Sequence, residues 1–267
     1  MVFIICRYIW CRSCRWVTVF ESSSAGNKDT DCQKWKAGDG GVCTGDLEEL
    51  EIEKINRKES NKMKVLLING SPKANGNTAL ALAEMEKVFR EEGIEVANLH
   101  VGNKDIRGCI ACGKCGELGK CVFDDIVNEG AELLKECDGI VVGSPVYYAS
   151  ANATLSAFLD RVFYSSHFDK TMKVGASIVI ARRGGCSATM DQLNKYFSIT
   201  GMPIASSQYW NSVHGGAPGE VEEDAEGMQT MRTLARNMSF LLKSIALGKE
   251  KYGLPEKEKH AWTNFIR

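Results

Sequence analysis

The chain has 267 residues, with 33 Lys+Arg against 34 Asp+Glu and a formal net charge of −1, a balance that offers no basic field for nucleic acid. Its 44% apolar and 25% charged residues, with a mean hydropathy of −0.20, exclude a disordered chain and a polytopic membrane protein. The length permits one large or two small domains.

Residues 1–20 form an apolar run cut by Arg7, Arg12 and Arg15. Charges at bilayer depth make this a poor membrane span. They also make it a poor signal peptide, with no clean small-residue cleavage site behind it. Residues 21–46 are rich in Ser, Gly and Asp and lack helix or strand periodicity, which reads as loop. Residues 47–62 suit a short charged helix. The pattern changes at Met63, where MKVLLING begins as an α/β domain does. Arg57-Lys58-Glu59 can be encoded by AGG-AAG-GAG, a purine-rich stretch resembling a bacterial ribosome-binding site. The expectation is therefore that 1–62 is a non-native or disordered extension and that 63–267 is the working domain. The rival is a genuine appendage with metal on Cys11-x2-Cys14, but no second ligand pair follows at zinc-site spacing.

From Met63 onward, strand and helix patterns alternate. Residues 65–69 are a short continuous apolar run, as expected of a central parallel strand covered on both faces. In 78–91, Ala81, Leu82, Met85, Val88 and Phe89 share one helical face. Residues 94–99 give the second strand, 124–137 a helix, 139–143 the third strand and 153–164 a helix. Residues 174–181 give the fourth strand, 188–200 a helix and 203–207 a short fifth strand. The long helix 224–247 carries a stripe of Met228, Met231, Leu234, Ala235, Met238, Leu241 and Leu242, read as core. Such alternation predicts a doubly wound α/β fold, five parallel strands with helices on both faces. Ligands in such sheets bind beyond the carboxyl ends of the strands. The loops 70–78, 144–152 and 182–187 all lie there, so distant segments converge on one site.

The first loop, Gly70-Ser71-Pro72-Lys73-Ala74-Asn75-Gly76-Asn77-Thr78, leads into a helix. Hydroxyls and backbone N–H groups at a helix N-terminus suit an anion, with Asn77 as N-cap or donor. It is neither a Walker A loop nor a dinucleotide fingerprint. Taken by itself, it fits an ordinary capped turn equally well. With the later segments Ser144-Pro145-Val146-Tyr147-Tyr148, Phe158-Leu159-Asp160-Arg161, Gly201-Met202-Pro203, Tyr209-Trp210-Asn211 and His214-Gly215, it resembles the NAD(P)H-dependent FMN reductases of flavodoxin-like fold. The resemblance runs from 63 to about 247 and implies five parallel strands in the order 2-1-3-4-5. It implies bound FMN, with Ser71, Lys73, Asn77 and Thr78 at its phosphate. Pro145, Val146, Tyr147 and Tyr148 would border the ribityl chain and ring, and Arg182, Arg183, Gly184 and Gly185 would form a third flavin loop. The residue chemistry agrees, because a flat ring needs apolar or aromatic walls and its pyrimidine edge needs N–H donors. Tyr147 and Tyr148 equally suit a strand end, and Arg182 and Arg183 a solvated turn. Asp160-Arg161 reads as a structural helix pair.

Eleven cysteines are present, five of them before Met63. Cys109-x2-Cys112-x2-Cys115-x5-Cys121 lies in a Gly-rich loop, 107–123. Four thiolates packed this closely suit an Fe–S cluster. Zinc usually takes two pairs held further apart. Disulfides or free thiols stay open beside the cluster. The spacing resembles that of the iron–sulfur flavoproteins, a branch of the same superfamily, which implies one [4Fe–4S] cluster with FMN, oligomeric assembly and one-electron exchange with other proteins. Cys137 reads as core. Cys186 sits in the third flavin loop.

No G-x-S-x-G elbow and no metal-binding His pair occur, and no catalytic side chain is assigned, since the chemistry lies on the flavin. The expected activity is electron transfer from NAD(P)H through FMN to a small-molecule acceptor. The alternative is a carrier exchanging electrons with ferredoxin, without NAD(P)H activity. Neither nucleic acid nor membrane is expected as a partner. A cytoplasmic homodimer or homotetramer is what the resemblance implies.

Overall fold

The structure, a computed structural model, describes residues 62–261 and 263 together with the backbone of 5–9 and 17–21. The chain divides into two units, 1–51 and 52–267. In the first, β1 (Ile5–Ile9) and β2 (Val17–Glu21) form an antiparallel hairpin pairing Ile5 with Glu21 and Ile9 with Val17, an addition to the sequence expectation. The loop over 21–46 and the charged helix over 47–62 fall outside the described residues, Glu21 and Lys62 excepted.

The second unit holds β3 (Lys64–Asn69), β4 (Glu95–His100), β5 (Gly139–Tyr147), β6 (Ser150–Ala151), β7 (Val174–Ala181) and β8 (Ser212–His214). Its helices are α1 (Asn77–Glu91), α2 (Cys115–Leu118), α3 (Ile126–Glu136), α4 (Ala153–Ser165), α5 (Cys186–Ile199) and α6 (Ala225–Tyr252). The strands lie in the order β4-β3-β5-β7-β8, all parallel, with β6 folding back antiparallel on the end of β5. Counted along the chain from Lys64, the five parallel strands are ordered 2-1-3-4-5, as the family resemblance implies.

The apolar runs are continuous because both faces of the sheet are covered. Val65, Leu67, Val141, Ala176 and Ile178 point to one side, where α1 and α6 supply Met85, Phe89, Met231, Leu234 and Met238. Leu66, Ile68, Ile140, Val142 and Val179 point to the other, against Val127, Leu134, Leu155, Phe158, Leu193 and Phe197 of α3, α4 and α5. Each such fully buried side chain contributes about 1.5–3 kcal/mol. The methionine stripe is therefore core. Gly175 is required on β7, because a Cβ there would lie 2.5 Å from the Phe197 ring.

The fifth strand is displaced from its expected place. Residues 203–207 make a single bridge, Ile204 to Gly175, and the paired strand is β8, aligned with Val179, Ile180 and Ala181. The chain advances from Ile204 to Ser212 while β7 advances only from Gly175 to Val179, so 206–210 leaves the sheet between the bonds of Ala205 N to Gly175 O and Val179 N to Asn211 O. Its apolar residues satisfy the strand pattern, but the ladder forms where β7's carboxyl end is still unpaired. The helix expected from 188 begins earlier, at Cys186.

Candidate functional site

Four loops meet at the carboxyl ends of the strands. The first, 70–76, is folded by Asn69, whose Oδ1 accepts from Ser71 N at 2.9 Å and whose Nδ2 donates to Ala74 O at 3.3 Å. Ser71 is buried, and its Oγ accepts from Lys73 N at 3.2 Å. Lys73 is exposed. The helix cap is Gly76, not Asn77, and no side chain caps α1. Its first-turn N–H groups thus carry the helix's positive end without a side-chain acceptor. Asn77 instead ties this loop to the fourth: its Nδ2 donates to Ala217 O at 2.9 Å and its Oδ1 accepts from Gly219 N at 2.8 Å. Thr78 is buried against Gly143.

The second loop is a tight hairpin. Val146 pairs with Ala151 and Tyr147 with Ser150, leaving Tyr148 and Ala149 as a two-residue turn with φ of 52° and 57°. A type I′ two-residue hairpin demands left-handed backbone at both central positions, which usually recruits Gly or Asn. Here the returning strand is held from outside: Gln192 Oε1 of α5 accepts from Ser150 Oγ at 2.8 Å and Ala151 N at 3.0 Å. Ser144 Oγ accepts from Asn152 N at 3.0 Å. Pro145 and Val146 are half-buried, Tyr147 is exposed, and Tyr148 projects fully into solvent.

The third loop carries the exposed Arg182, Arg183 and Gly184 and ends at Gly185. At φ 91° a Cβ on Gly185 would lie 2.8 Å from Ala149 Cα, so glycine lets the second and third loops touch. The fourth loop is braced by Glu220, whose Oε2 accepts from Gly216 N at 2.6 Å and Ala217 N at 2.8 Å. Those two N–H groups, with Arg182 nearby, hold its carboxyl below the usual range. His214 is exposed, and its backbone N–H donates to Asp224 at 2.7 Å. The twelve expected flavin-site residues therefore lie on the first three loops and the elements flanking them, Asn77 and Thr78 in the first turn of α1 and Pro145–Tyr147 at the end of β5, around an uncapped helix end and exposed aromatic rings. That setting fits a phosphate-bearing planar cofactor.

The cysteines form a second centre. Cys109, Cys112, Cys115 and Cys121 are all free, and all line one hollow with Phe123, Arg161, Tyr164 and Ser165. Among the described residues, no three His, Cys, Asp or Glu side chains converge tightly enough to share a single metal ion. Four thiols lining one hollow are a donor set of the kind that holds an Fe–S cluster. The loop is fixed through Asn128, which accepts from Cys121 N at 3.0 Å and donates to Cys121 O at 3.1 Å and Phe123 O at 3.0 Å. Cys109 Sγ accepts from Ala111 N at 3.4 Å.

Arg161, read from the sequence as structural, has partners that sequence reasoning missed. It does not pair with Asp160, which accepts from Tyr196 OH at 2.5 Å. Its guanidinium is 1% exposed and grips Asp125 in bidentate fashion, at 2.7 and 3.0 Å. It also donates to Cys121 Sγ from Nε at 3.3 Å and Nη2 at 3.1 Å. A signal was available: Arg161 falls among Leu155, Phe158, Leu159 and Val162 on the buried face of α4, where an unpaired charge is untenable. Asp125, Ser165, Asn128 and Gln192 carried no such signal.

One helix joins the two centres. Asn152, at the end of the second loop, caps α4 by accepting from Thr154 N at 2.7 Å. Nine residues on, about 13–14 Å at 1.5 Å per residue, Arg161 meets Cys121. Cys137 and Cys186 stand apart. Cys137 is core, its thiol pushed up to about 11 by burial. Cys186 opens α5, and burial raises its thiol too.

The profile of the NADPH-dependent FMN reductases matches residues 63–217. An iron-sulfur flavoprotein of Methanocaldococcus jannaschii is 35% identical over 191 residues, covering 68% of this chain and 99% of the relative. One from Methanosarcina thermophila is 32% identical over 194 residues, covering 71% and 100%. Among solved structures, RosB with a bound intermediate, 8-demethyl-8-formylriboflavin-5'-phosphate, superposes with a TM-score of 0.55 at 15% identity, over 77% of this chain and 94% of that one. That last likeness is one of fold.

Proposed function

The chain belongs to the NADPH-dependent FMN reductase family, and from that premise we propose that it moves electrons from NAD(P)H, or from a reduced carrier, to a small-molecule or protein acceptor, with FMN and a [4Fe–4S] cluster as its redox groups. The observation that carries the proposal is the pair of centres joined by α4: the flavin-type loops at one end, and four free thiols around one hollow at the other. Ser71, Lys73, Thr78 and the open end of α1 would hold the FMN phosphate. Asn77 would act indirectly, by pinning the fourth loop. Val146, Tyr147 and Tyr148 would wall the ring, with Arg182–Gly185 at its edge. Cys109, Cys112, Cys115 and Cys121 would hold the cluster. Bound FMN accepts hydride and a bound cluster exchanges single electrons. Anaerobic purification with absorbance and EPR spectra and iron, sulfide and zinc analysis tests the cofactors. Flavin without iron or acid-labile sulfide removes the cluster.

A second reading is a carrier exchanging electrons with a ferredoxin-like protein and inert to NAD(P)H. It is favoured by the exposed apolar residues Ile110, Val122 and Tyr164 beside the cysteine hollow, a surface suited to protein contact. Stopped-flow mixing with NADPH and NADH separates the two: rapid flavin bleaching supports the reductase, and reduction by ferredoxin alone supports the carrier. A cytoplasmic homodimer or homotetramer belongs to the same proposal. Among the described residues no helix is long and apolar enough to cross a membrane.

A further inference from the structure

The cysteine hollow has one wall that is neither thiol nor loop. It is the face of α4 carrying Arg161 and, one turn later, Ser165. These residues are four apart and lie on the same side of the helix. The Arg161 guanidinium has five N–H donors in a fixed fork. They go to Cys121 Sγ from Nε and Nη2, to Asp125 from Nη1 and Nη2, and to Arg107 O from Nη1 at 3.3 Å. Phe123 stacks beside it, its centroid 5.1 Å from the guanidinium carbon. The group is buried, charge-compensated and aimed, and two of its N–H bonds converge on one sulfur.

Ser165 is the complement. It is 3% exposed, and among the described residues its Oγ is the buried side-chain polar atom left without a hydrogen-bond partner. Other helical hydroxyls return to the carbonyl four residues earlier: Ser156 to Asn152, Ser166 to Val162, Thr230 to Glu226 and Ser239 to Ala235. Ser165 does not, and its O–H remains unspent at the wall of the hollow. Buried polar groups are nearly always satisfied, so an orphan marks the place of an acceptor.

We propose that Arg161 and Ser165 form a donor ledge that sets the reduction potential of the iron–sulfur cluster held by Cys109, Cys112, Cys115 and Cys121, with Cys121 as the ligand it singles out. The proposal rests on the cluster reading given above. Gain of one electron adds negative charge to the sulfurs. N–H and O–H donors directed at them stabilise the reduced form and raise the potential. Both are positioning residues, acting on the cluster through its sulfurs.

The test uses the full chain, purified anaerobically, as wild type, Ser165→Ala and Arg161→Lys. Iron and acid-labile sulfide are counted per chain, and the midpoint potential is read by EPR during dithionite titration. Expected is an unchanged metal content with a midpoint shifted negative in both variants, since Ala removes the hydroxyl and Lys removes the fork. A merely structural role lowers the melting temperature and leaves the midpoint where it is. An unchanged midpoint in either variant, with its cluster intact, overturns the proposal. If Arg161→Lys fails to fold, Ser165→Ala alone decides. A wild type that binds no iron and sulfide overturns the cluster reading itself, and this proposal with it.

Discussion

Cys137 shows what burial does to a single reactive group. It is fully enclosed at the end of α3, with a thiol pushed from an ordinary 9.0 up to about 11 by desolvation. A raised acid pKa means that the folded state holds its proton longer than the unfolded chain does. The stability this confers is complete below pH 9.0 and is lost as pH rises through about 11. The Lys173 ammonium, bonded to Cys137 O and lowered by burial, has the opposite sign. Subtraction isolates the thiol. The cost of Cys137→Ala, measured by urea denaturation, is expected to be greatest below pH 9.0 and to shrink towards pH 11, by about 2–3 kcal/mol for two pH units. A cost independent of pH contradicts this. Arg161 carries the matching lesson for charge: its neighbour in sequence is Asp160 and its partner in space is Asp125, because adjacent helix residues point apart.

At the scale of elements, Asp125 performs two tasks. It caps α3 by accepting from Val127 N at 3.1 Å and holds Arg161 on α4. Asp125→Ala is expected to cost about 3–5 kcal/mol in chemical denaturation, because the guanidinium stays buried without its counter-charge. The β5–β6 hairpin bears the opposite sign of strain. Left-handed backbone at non-glycine residues costs of order 1–3 kcal/mol each and tends to persist at functional sites. Ala149→Gly is therefore expected to raise the denaturation midpoint. Tyr148→Ala, on a fully exposed side chain, is expected to leave stability within about 0.5 kcal/mol and to weaken FMN binding several-fold by fluorescence titration. Equal FMN affinity removes Tyr148 from the flavin wall. The strands themselves were readable from their apolar runs. The hairpin was not, since Tyr148-Ala149 carries no Gly or Asn, and Gln192 stabilises it from another helix.

Across the whole molecule, the two apolar cores and the parallel sheet lie within 52–267. We propose that residues from Met63 onward carry the flavin function without 1–62. A chain beginning at Met63 is expected to bind FMN with unchanged affinity and to unfold at the same denaturant concentration. Loss of either shows that the first unit contributes to the fold. The same scale explains why the expected strand 203–207 was misplaced. Its pattern suits a strand, yet pairing depends on which part of β7 remains open, and that is fixed by α5, α6 and the course of 205–211.

Sequence alone determined the doubly wound fold, the two-faced core and the three loops at the strands' carboxyl ends, because period, length and turn chemistry are local properties that packing here reinforces. It also identified the four cysteines, since their spacing is a property of one short loop. Tertiary structure decided the partners. Asn77 binds the loop at 217–219, Gln192 holds the hairpin, Asp125 claims Arg161, and Arg161 with Ser165 faces the thiols. Each of these contacts joins residues far apart in the chain, and a hydrogen bond has no sequence period; its geometry exists only once the helices have packed on the sheet.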